Sequence, residues 1–317
     1  MRIVLPGGSG QVGTILSRAF HADGHDVVVL SRRPETRPWR VVLWDAVSLG
    51  DWCRAIDGAD AVINLTGRSV NCRYNARNRR EILESRVEST RVVGQAIARA
   101  ERPPRVWLQA STATIYAHRY DAPNDEHTGK LGGHDPGTPN TWQFSLDVVD
   151  AWERALAEAV TPATRRVLLR SAMVMSPDAG GIFDALLALV RRGLGGRAGS
   201  GRQFISWIHE HDFVAAVRWL IDRPHLDGAV NLTSPQPVPN AEFMRVLRQA
   251  RGRSFGLSSP AWLLEIGAVF MRTETELILK SRYVVPARLL EDGFRFKFGR
   301  WDEAAPDLCR RWRKLCS

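Results

Sequence analysis

Short apolar runs alternate with longer amphipathic stretches along the first 170 residues of the chain. Six runs of three to five mainly apolar residues stand out: 3–5, 27–30, 41–44, 61–65, 106–110 and 167–169. Brief continuous runs of this kind are typical of strands buried on both faces of a parallel sheet. We therefore predict six strands in one sheet.

The segments between these runs have helical periodicity. We predict four helices, at residues 12–23, 49–57, 75–100 and 143–160. In the third, apolar or small residues recur every three or four positions and mark one helix face: Leu83, Val87, Thr90, Gly94 and Ile97. Strands that alternate with helices indicate an α/β fold with a doubly wound parallel sheet.

The alternating pattern loosens from about residue 171. Residues 193–201 are rich in glycine and residues 234–239 are rich in proline, whereas residues 212–221 and 229–232 match the earlier pattern. We predict a sheet domain of residues 1–172 with 205–234. A smaller α/β domain would comprise residues 173–204 with 235–317, and its Phe294, Phe296 and Phe298 alternate as in a half-buried strand.

A glycine-rich loop follows the first predicted strand and opens the first predicted helix. It consists of Gly7, Gly8, Ser9, Gly10, Gln11, Val12 and Gly13. Glycines at this spacing let the backbone turn sharply and approach a pyrophosphate, which the free N–H groups of the helix N-terminus then bind. The position between a strand and a helix distinguishes this motif from an ordinary turn. We predict a dinucleotide site.

The end of the second predicted strand indicates which dinucleotide is bound. An NAD site usually has an acid here for the ribose 2′-hydroxyl, but the chain has Ser31, Arg32 and Arg33 with no acid before Glu35. A hydroxyl and a guanidinium suit a 2′-phosphate. We predict NADP(H), with two solvated surface arginines as the alternative.

Charge and cysteine content change this interpretation little. The net charge is +10, yet only four of the 44 basic residues are lysine and the arginines are scattered, so we expect no nucleic-acid partner. The four cysteines have no metal-ligand or redox spacing. With neither a signal segment nor an apolar run long enough for a bilayer, we expect a cytoplasmic monomer or homodimer that acts on a small molecule.

Several stretches together resemble the extended short-chain dehydrogenase/reductase superfamily, and within it the atypical epimerase family with a C-terminal domain of unknown function. They are Gly7-Gly-Ser-Gly-Gln-Val-Gly13, Asp60-Ala-Val-Ile-Asn-Leu-Thr-Gly67, Glu81-Ile-Leu-Glu-Ser-Arg86, Gly199-Ser-Gly-Arg-Gln-Phe-Ile-Ser-Trp-Ile-His209, Asn231-Leu-Thr233 and Val284-Val-Pro-Ala-Arg-Leu-Leu-Glu-Asp-Gly-Phe294. The resemblance implies a Rossmann domain that binds NADP(H) and a small domain that closes over a substrate cleft.

The resemblance also implies cofactor contacts beyond the glycine loop. They come from Ser31, Arg32, Leu65, Thr66, Glu81, Arg86 and Val174, to which we add Gly67 and Asp45. Two positions depart from the family pattern: Pro6 replaces a threonine and Gln11 replaces an aromatic residue. Neither change removes a glycine, so the prediction of a cofactor site stands.

The usual catalytic pair of the superfamily is missing. That pair is a tyrosine followed four residues later by a lysine, and none of the four tyrosines here has a lysine at that distance. We align the two positions with Ser145 and Val149. The standard acid/base group is therefore absent.

Other residues are candidates for catalysis and substrate binding. Thr112 matches the superfamily position that hydrogen-bonds a substrate carbonyl, and Tyr116 lies near it as a proton donor; local hydrogen bonding and packing are the alternative roles. The stretch after Gly199 resembles the substrate loop of sugar-nucleotide enzymes and supplies Arg202, Gln203 and Trp207. His209 is either a structural histidine or a general base.

Three functions remain open on this evidence. The first is an NADP(H)-dependent oxidoreductase or epimerase with an unidentified small carbonyl or sugar-nucleotide-like substrate. The second is an NADP(H)-binding regulator or sensor without catalysis. The third is a protein that uses its basic surface to bind nucleic acid or a protein partner.

Overall fold

Seven parallel strands form one sheet at the centre of the molecule. The computed structural model describes residues 1–133, 139–260, 262 and 274–316. The strands of the sheet are β1 Arg2–Pro6, β2 Asp26–Ser31, β3 Arg40–Leu43, β4 Ala61–Asn64, β5 Val106–Thr112, β6 Arg165–Ser171 and, numbered by its place in the chain, β10 Gly228–Leu232. Their order is β10-β6-β5-β4-β1-β2-β3. The predicted doubly wound parallel sheet is confirmed.

Helices cover both faces of this sheet and pack against it through two apolar cores. They are α1 Gln11–Ala22, α2 Cys53–Ile56, α3 Ala76–Arg99, α4 Asn140–Ala157 and, later in the chain, α6 Glu210–Asp222. A helix must cross over between neighbouring parallel strands, which is why the apolar runs and helical stretches alternate along the sequence. The order of strands reverses beside β1, and the carboxyl ends of β1 and β4 meet there.

A third apolar core lies beside the sheet and joins two parts of the second half of the chain. It contains Phe183, Trp207, Phe243 and Trp301, all buried. The elements around it are β7 Met173–Met175, α5 Ile182–Arg191, β8 Phe204–Ile205, β9 Trp207–His209, β11 Val238–Pro239, α7 Asn240–Arg251 and, numbered by its place in the chain, α10 Trp301–Cys316. Two short helices precede α10 in the chain, α8 Glu276–Leu279 and α9 Ala287–Glu291. The predicted domain division stays a prediction.

The C-terminal segment contributes side chains to the main core around the central sheet. Leu289 and Phe294 are buried in the same cluster as β10 and α6. The predicted strand at residues 294–298 is wrong, because no ladder forms there. The N–H groups of Lys297 and Phe298 instead donate to the Asp212 carboxylate, at 2.9 and 2.8 Å.

Two helix predictions also need correction. The helix predicted at residues 49–57 is reduced to α2, the four residues Cys53–Ile56, because Asp45 and Trp52 hold a loop before it. In α3 the buried face includes Thr90, Gly94 and Ile97, but Leu83 and Val87 are only partly buried. Within the described residues, no helix has the length and apolar composition needed to cross a bilayer.

Candidate functional site

Steric contacts explain three of the four glycines in the loop between β1 and α1. Gly7 has a positive φ of 73°, and a Cβ there would lie 2.7 Å from the Thr66 Cα. A Cβ on Gly8 would lie 2.8 Å from the Leu5 Cβ, and one on Gly13 would overlap the backbone of Gly8. Gly10 differs: its nearest neighbour would be a carbonyl oxygen at 3.8 Å. The open space at Gly10 is the space that a ligand would use.

The loop presents unsatisfied hydrogen-bonding groups to that space. The helix α1 begins after Gly10 without a side-chain cap, so the N–H groups of its first turn, at Gln11, Val12 and Gly13, have no intrahelical acceptor. The Gln11 Nε2 and the Thr66 Oγ1 are also buried without a partner among the described residues. Donors clustered at a helix N-terminus suit a phosphate, and the loop therefore fits the pyrophosphate of a dinucleotide.

The end of β2 carries the groups that the sequence assigned to a 2′-phosphate. Ser31 is buried and its hydroxyl accepts the Arg33 N–H at 3.2 Å. Arg32 and Arg33 are exposed, and neither pairs with a carboxylate of the described residues. Glu35 pairs with Arg37 at 2.9 Å instead. Two unpaired guanidinium groups therefore stand at the ribose end of the site.

Arg86 lies on the opposite side of the glycine loop, against Gly67. A Cβ on Gly67 would lie 3.1 Å from the Arg86 Cζ. The guanidinium donates to the Ile82 carbonyl at 2.9 Å and lies over the Trp152 ring, with no carboxylate partner in the described part of the chain. Burial lowers the pKa of Arg86 to about 10, because no neighbouring anion compensates the buried charge. An anionic ligand at this position would stabilise it.

The remaining residues assigned to the cofactor differ in their contacts and exposure. Leu65 packs on the main core at the end of β4, and Val174 is buried in β7. Glu81 forms ion pairs with Arg68 and Arg77, which lower its pKa. Asp45 accepts the N–H groups of Val47 and Ser48, both at 2.9 Å, and caps its own loop. Ser9 is exposed at the tip of the glycine loop.

Both catalytic candidates have local partners in the structure. The Thr112 hydroxyl contacts the Thr114 hydroxyl at 3.1 Å and accepts the Thr114 N–H at 3.2 Å. Tyr116 is buried; its hydroxyl donates to the Asn231 Oδ1 at 3.0 Å and accepts from Arg170 at 3.1 Å. Burial raises the pKa of Tyr116. These contacts match the alternative roles of hydrogen bonding and packing.

Arg170 connects Tyr116 to the helix α4. Its guanidinium binds both oxygens of the Glu153 carboxylate, at 3.0 and 2.8 Å, and Ser111 donates to the same carboxylate at 2.5 Å. Bidentate pairing of this kind is strong and directional, and it raises the pKa of Arg170. The Tyr116 hydroxyl is therefore held in a fixed position.

Ser145, at the position of the missing tyrosine, contacts an acid from the second half of the chain. Ser145, on α4, donates to the Glu276 carboxylate at 2.5 Å, whereas Val149 is buried in an apolar cluster with Tyr116. Lys280, four residues after Glu276, donates to the Thr114 carbonyl at 2.8 Å. No sequence motif marks Glu276 or Lys280, although their spacing of four residues repeats that of the missing pair.

The three residues assigned to the substrate are not brought to one surface. Arg202 is exposed and its guanidinium lies 5.8 Å from the centre of the Tyr120 ring. Gln203 is buried and its Nε2 joins two loops by donating to the carbonyls of Ala198 and Ile278. Trp207 has no exposed surface and packs on Trp301 in the third core. Only Arg202 faces solvent.

His209 has a structural position. It is fully buried, its Nδ1 accepts the His211 N–H at 3.0 Å as the N-cap of α6, and its ring stacks on Phe298. Burial lowers the pKa of His209 to about 4, although Asp307 lies 3.3 Å from its Nε2. The imidazole is therefore neutral at physiological pH.

The fold and the site together define a class of protein. A doubly wound parallel sheet with a glycine-rich loop after β1 and free helix N–H groups is a Rossmann-type dinucleotide-binding domain. The model of the NAD dependent epimerase/dehydratase family matches residues 3–232, and that of a domain of unknown function (DUF1731) matches residues 259–308. The chain belongs to the NAD dependent epimerase/dehydratase family, as its sequence predicted.

Similar proteins extend over nearly the whole chain. The epimerase family protein SDR39U1 of Bos taurus is 34% identical over 302 residues, which are 94% of this chain and 96% of the relative. An epimerase family protein of Mycobacterium bovis is 32% identical and covers 95% of each chain. The crystal structure of human SDR39U1 with NADPH has a TM-score of 0.85 at 30% identity and covers 98% of this chain and 99% of the human chain.

Proposed function

We propose that this protein is an NADP(H)-dependent oxidoreductase or epimerase. The observation that carries the proposal is the pair of unpartnered anion-binding groups at the two ends of the site. The free N–H groups after Gly10 suit the pyrophosphate, and the exposed Arg32 and Arg33 suit a 2′-phosphate. The human relative crystallised with NADPH supports the same choice of nucleotide.

The residues that would hold the cofactor lie along one edge of the sheet. They are the loop residues 7–13, Ser31, Arg32 and Arg33 at the end of β2, Leu65, Thr66 and Gly67 at the end of β4, and Arg86 on α3, with Asp45, Glu81 and Val174 at the margins. When bound, the cofactor supplies or accepts a hydride. The chain itself orients the nucleotide and provides the proton that must accompany the hydride.

We propose a small carbonyl compound or a sugar-nucleotide-like molecule as the substrate. Arg202 lies beside the exposed Tyr120, and this ring contacts His118 at 5.0 Å between centroids. A guanidinium beside aromatic rings suits an anionic group attached to a flat or apolar one. Thr112 and Tyr116 remain the proposed carbonyl partner and proton donor. Location in the cytoplasm, a monomeric or homodimeric state and the absence of a nucleic-acid partner remain proposals.

A binding-only function is the second candidate. It is favoured by the replacement of the usual catalytic pair with Ser145 and Val149, and by the apolar burial of Val149. Such a protein would bind NADP(H) as a regulator or sensor. The two functions can be separated by incubating the protein and NADPH with a panel of aldehydes, ketones and sugar nucleotides and following the absorbance of NADPH. Oxidation of NADPH by any one compound would show that the protein is an enzyme.

Calorimetric titration with NADPH and NADH tests the choice of cofactor. A charge-assisted hydrogen bond contributes about 1.5–3 kcal/mol, so we expect NADPH to bind at least about tenfold more tightly. The double variant Arg32→Ala with Arg33→Ala should lose this preference. Arg37→Ala is the matched control, because Arg37 is exposed nearby but pairs with Glu35. Equal affinities for the two nucleotides in the unaltered protein would refute the assignment.

A further inference from the structure

A cavity opens where the C-terminal ends of α5 and α7 meet. This cavity, the arginine pocket, has a volume of about 420 Å³ and is lined by Ala188, Arg191, Arg192, Arg251 and Arg253. None of the four guanidinium groups forms an ion pair or a hydrogen bond with the residues that the structure describes. Four positive charges without a counterion therefore surround one small space.

The dipoles of the two helices balance only part of this charge. Arg191 is the last residue of α5, and Arg251 is the last residue of α7. A helix C-terminus carries a partial charge of about −0.5, so the two helix ends together balance about one positive charge. About three positive charges remain without a partner in the described part of the chain, which is more than helix capping requires.

Trp312, on α10, holds two of the guanidinium groups in place. The Cζ atoms of Arg191 and Arg251 lie 5.2 and 5.8 Å from the centre of its ring. The indole is itself buried and donates to the Asp184 Oδ1 at 3.0 Å. A guanidinium that lies against an aromatic ring can still donate from its edge, and the Arg251 Nε is buried without an acceptor among the described residues. The pocket therefore has positioned donors that lack an acceptor.

The shape of the pocket depends on a small residue of α5. Ala188 precedes Arg191 and Arg192 by three and four positions, which places all three on one face of the helix. A larger side chain at position 188 would fill part of the cavity. Arg192 and Arg253 are exposed, so the pocket is accessible from solvent.

We propose that the arginine pocket binds a small molecule that carries several phosphate groups. A terminal phosphate has a charge of about −1.5 to −2 at pH 7 and three acceptor oxygens, so it can accept from guanidinium groups on several sides, whereas a planar carboxylate pairs best with one. The volume lies at the lower end of the range of small-molecule sites. The arginines converge on one cavity, which suits a compact anion better than a long polyanion.

The arginine pocket is separate from the predicted cofactor site. The two lie at opposite ends of α5: a Cβ on Gly181, the N-cap of this helix, would overlap the side chain of Gln11 in the glycine loop. Arg191 ends the helix ten residues later, and a helix of this length spans about 15 Å. The inference therefore does not rest on the proposed function.

Calorimetric titration with inorganic tripolyphosphate tests the inference. We would titrate the full chain in excess NADPH, which keeps the probe from the glycine loop, and expect one molecule bound per chain. Arg192→Gln and Arg253→Gln should each lower the affinity at least about tenfold, because each removes a charge-assisted donor. Arg245→Gln is the matched control: it removes the same charge from α7, but Arg245 pairs with Glu242, and the affinity should change less than about twofold.

Ala188→Leu distinguishes a shaped pocket from a diffuse positive surface. This variant keeps every charge and fills part of the cavity, so we expect it to lower the affinity for tripolyphosphate at least about tenfold. Unchanged affinity in Ala188→Leu, or in both Arg192→Gln and Arg253→Gln, overturns the inference. Tighter binding of citrate or of a DNA duplex than of tripolyphosphate would overturn the choice of ligand.

Thermal unfolding separates a ligand site from a structural role of the arginines. Without ligand, Arg192→Gln and Arg253→Gln should not lower the Tm, because neighbouring like charges repel each other. Tripolyphosphate should raise the Tm of the unaltered protein by a few degrees and that of these two variants much less. A Tm that falls by several degrees in both variants without ligand would assign the arginines to stability and overturn the inference.

Discussion

The glycines of the loop have different structural roles, although the sequence motif requires glycine at each position. Gly13 is required by the fold, because a Cβ there would overlap the Gly8 backbone. Gly10 has an extended backbone with φ of −72°, which any residue adopts, and room for a Cβ. A side chain at position 10 would therefore not clash with the protein, whereas under the proposed function it would enter the phosphate site. Substitutions at Gly10 and Gly13 can therefore separate an effect on ligand binding from an effect on folding.

We predict that Gly10→Ala and Gly13→Ala weaken different properties. Gly10→Ala should change the free energy of unfolding by less than about 0.5 kcal/mol but lower NADPH affinity at least about tenfold, because the methyl group occupies the phosphate site. Gly13→Ala should cost about 1–3 kcal/mol of stability from overpacking. Denaturant unfolding and calorimetry measure the two effects. Full NADPH affinity in Gly10→Ala would contradict the placement of the phosphate.

His209 should make the protein sensitive to acid. Burial lowers its pKa to about 4, so between that value and about 6.5 the unfolded chain binds a proton that the folded chain does not. Stability is therefore complete above about pH 6.5 and decreases as the pH falls, by roughly 3 kcal/mol at most. In His209→Asn, which retains an N-cap acceptor, this part of the acid transition should disappear. Urea unfolding at a series of pH values would detect it.

At the scale of elements, one carboxylate determines the path of the chain after α9. Asp212 is buried in the first turn of α6 and accepts the N–H groups of Lys297 and Phe298. These two donors are therefore not available for a β ladder. This explains why an alternating phenylalanine pattern does not form the predicted strand.

We predict that Asp212→Ala destabilises the protein by about 2–4 kcal/mol, because two N–H groups lose their charged acceptor. Asp212→Asn should cost less, since its amide oxygen still accepts. Asp222→Ala is the control at the other end of the same helix, where the side chain is exposed; it should be nearly neutral. Denaturant unfolding compares the three variants. Equal losses in Asp212→Ala and Asp222→Ala would show that the bonds to the C-terminal segment contribute little.

At the scale of the whole molecule, the two ends of the chain share one core. Leu289 and Phe294 pack in the cluster that contains β10 and α6, and Phe298 stacks on His209. Truncation of a buried leucine or phenylalanine to alanine costs about 2–5 kcal/mol, whereas a whole domain is stable by only about 5–15 kcal/mol. The core around the central sheet therefore depends on the C-terminal segment.

We predict that a chain ending at residue 234 loses its cooperative thermal transition. It would lack Leu289 and Phe294 from the main core and the Asp307 contact of His209. Circular dichroism during heating, compared with the full chain, measures this. A cooperative transition near the temperature of the full chain would mean that residues 1–234 fold independently.

The sequence by itself determined the parallel sheet, the glycine loop and the family. Apolar runs in β1, β2, β4 and β5 can be recognised because strands buried on both faces allow few polar residues, whereas β3, at the edge of the sheet, has no buried residue. The loop can be recognised because two of its glycines are required by contacts within five residues, Gly8 against Leu5 and Gly13 against Gly8. These features depend on local backbone geometry, and local geometry is encoded by neighbouring residues.

Only the tertiary structure decided which distant side chains meet. Glu276 and Ser145 are 131 positions apart, and Lys297 and Asp212 are 85 apart, so no local pattern marks either pair. The burial of Trp207 also depends on the distant Trp301, and the hydroxyl of Tyr116 finds its partner Asn231 in the other half of the chain. Polar residues acquire their partners and their pKa values from packing, because burial removes water as the alternative partner.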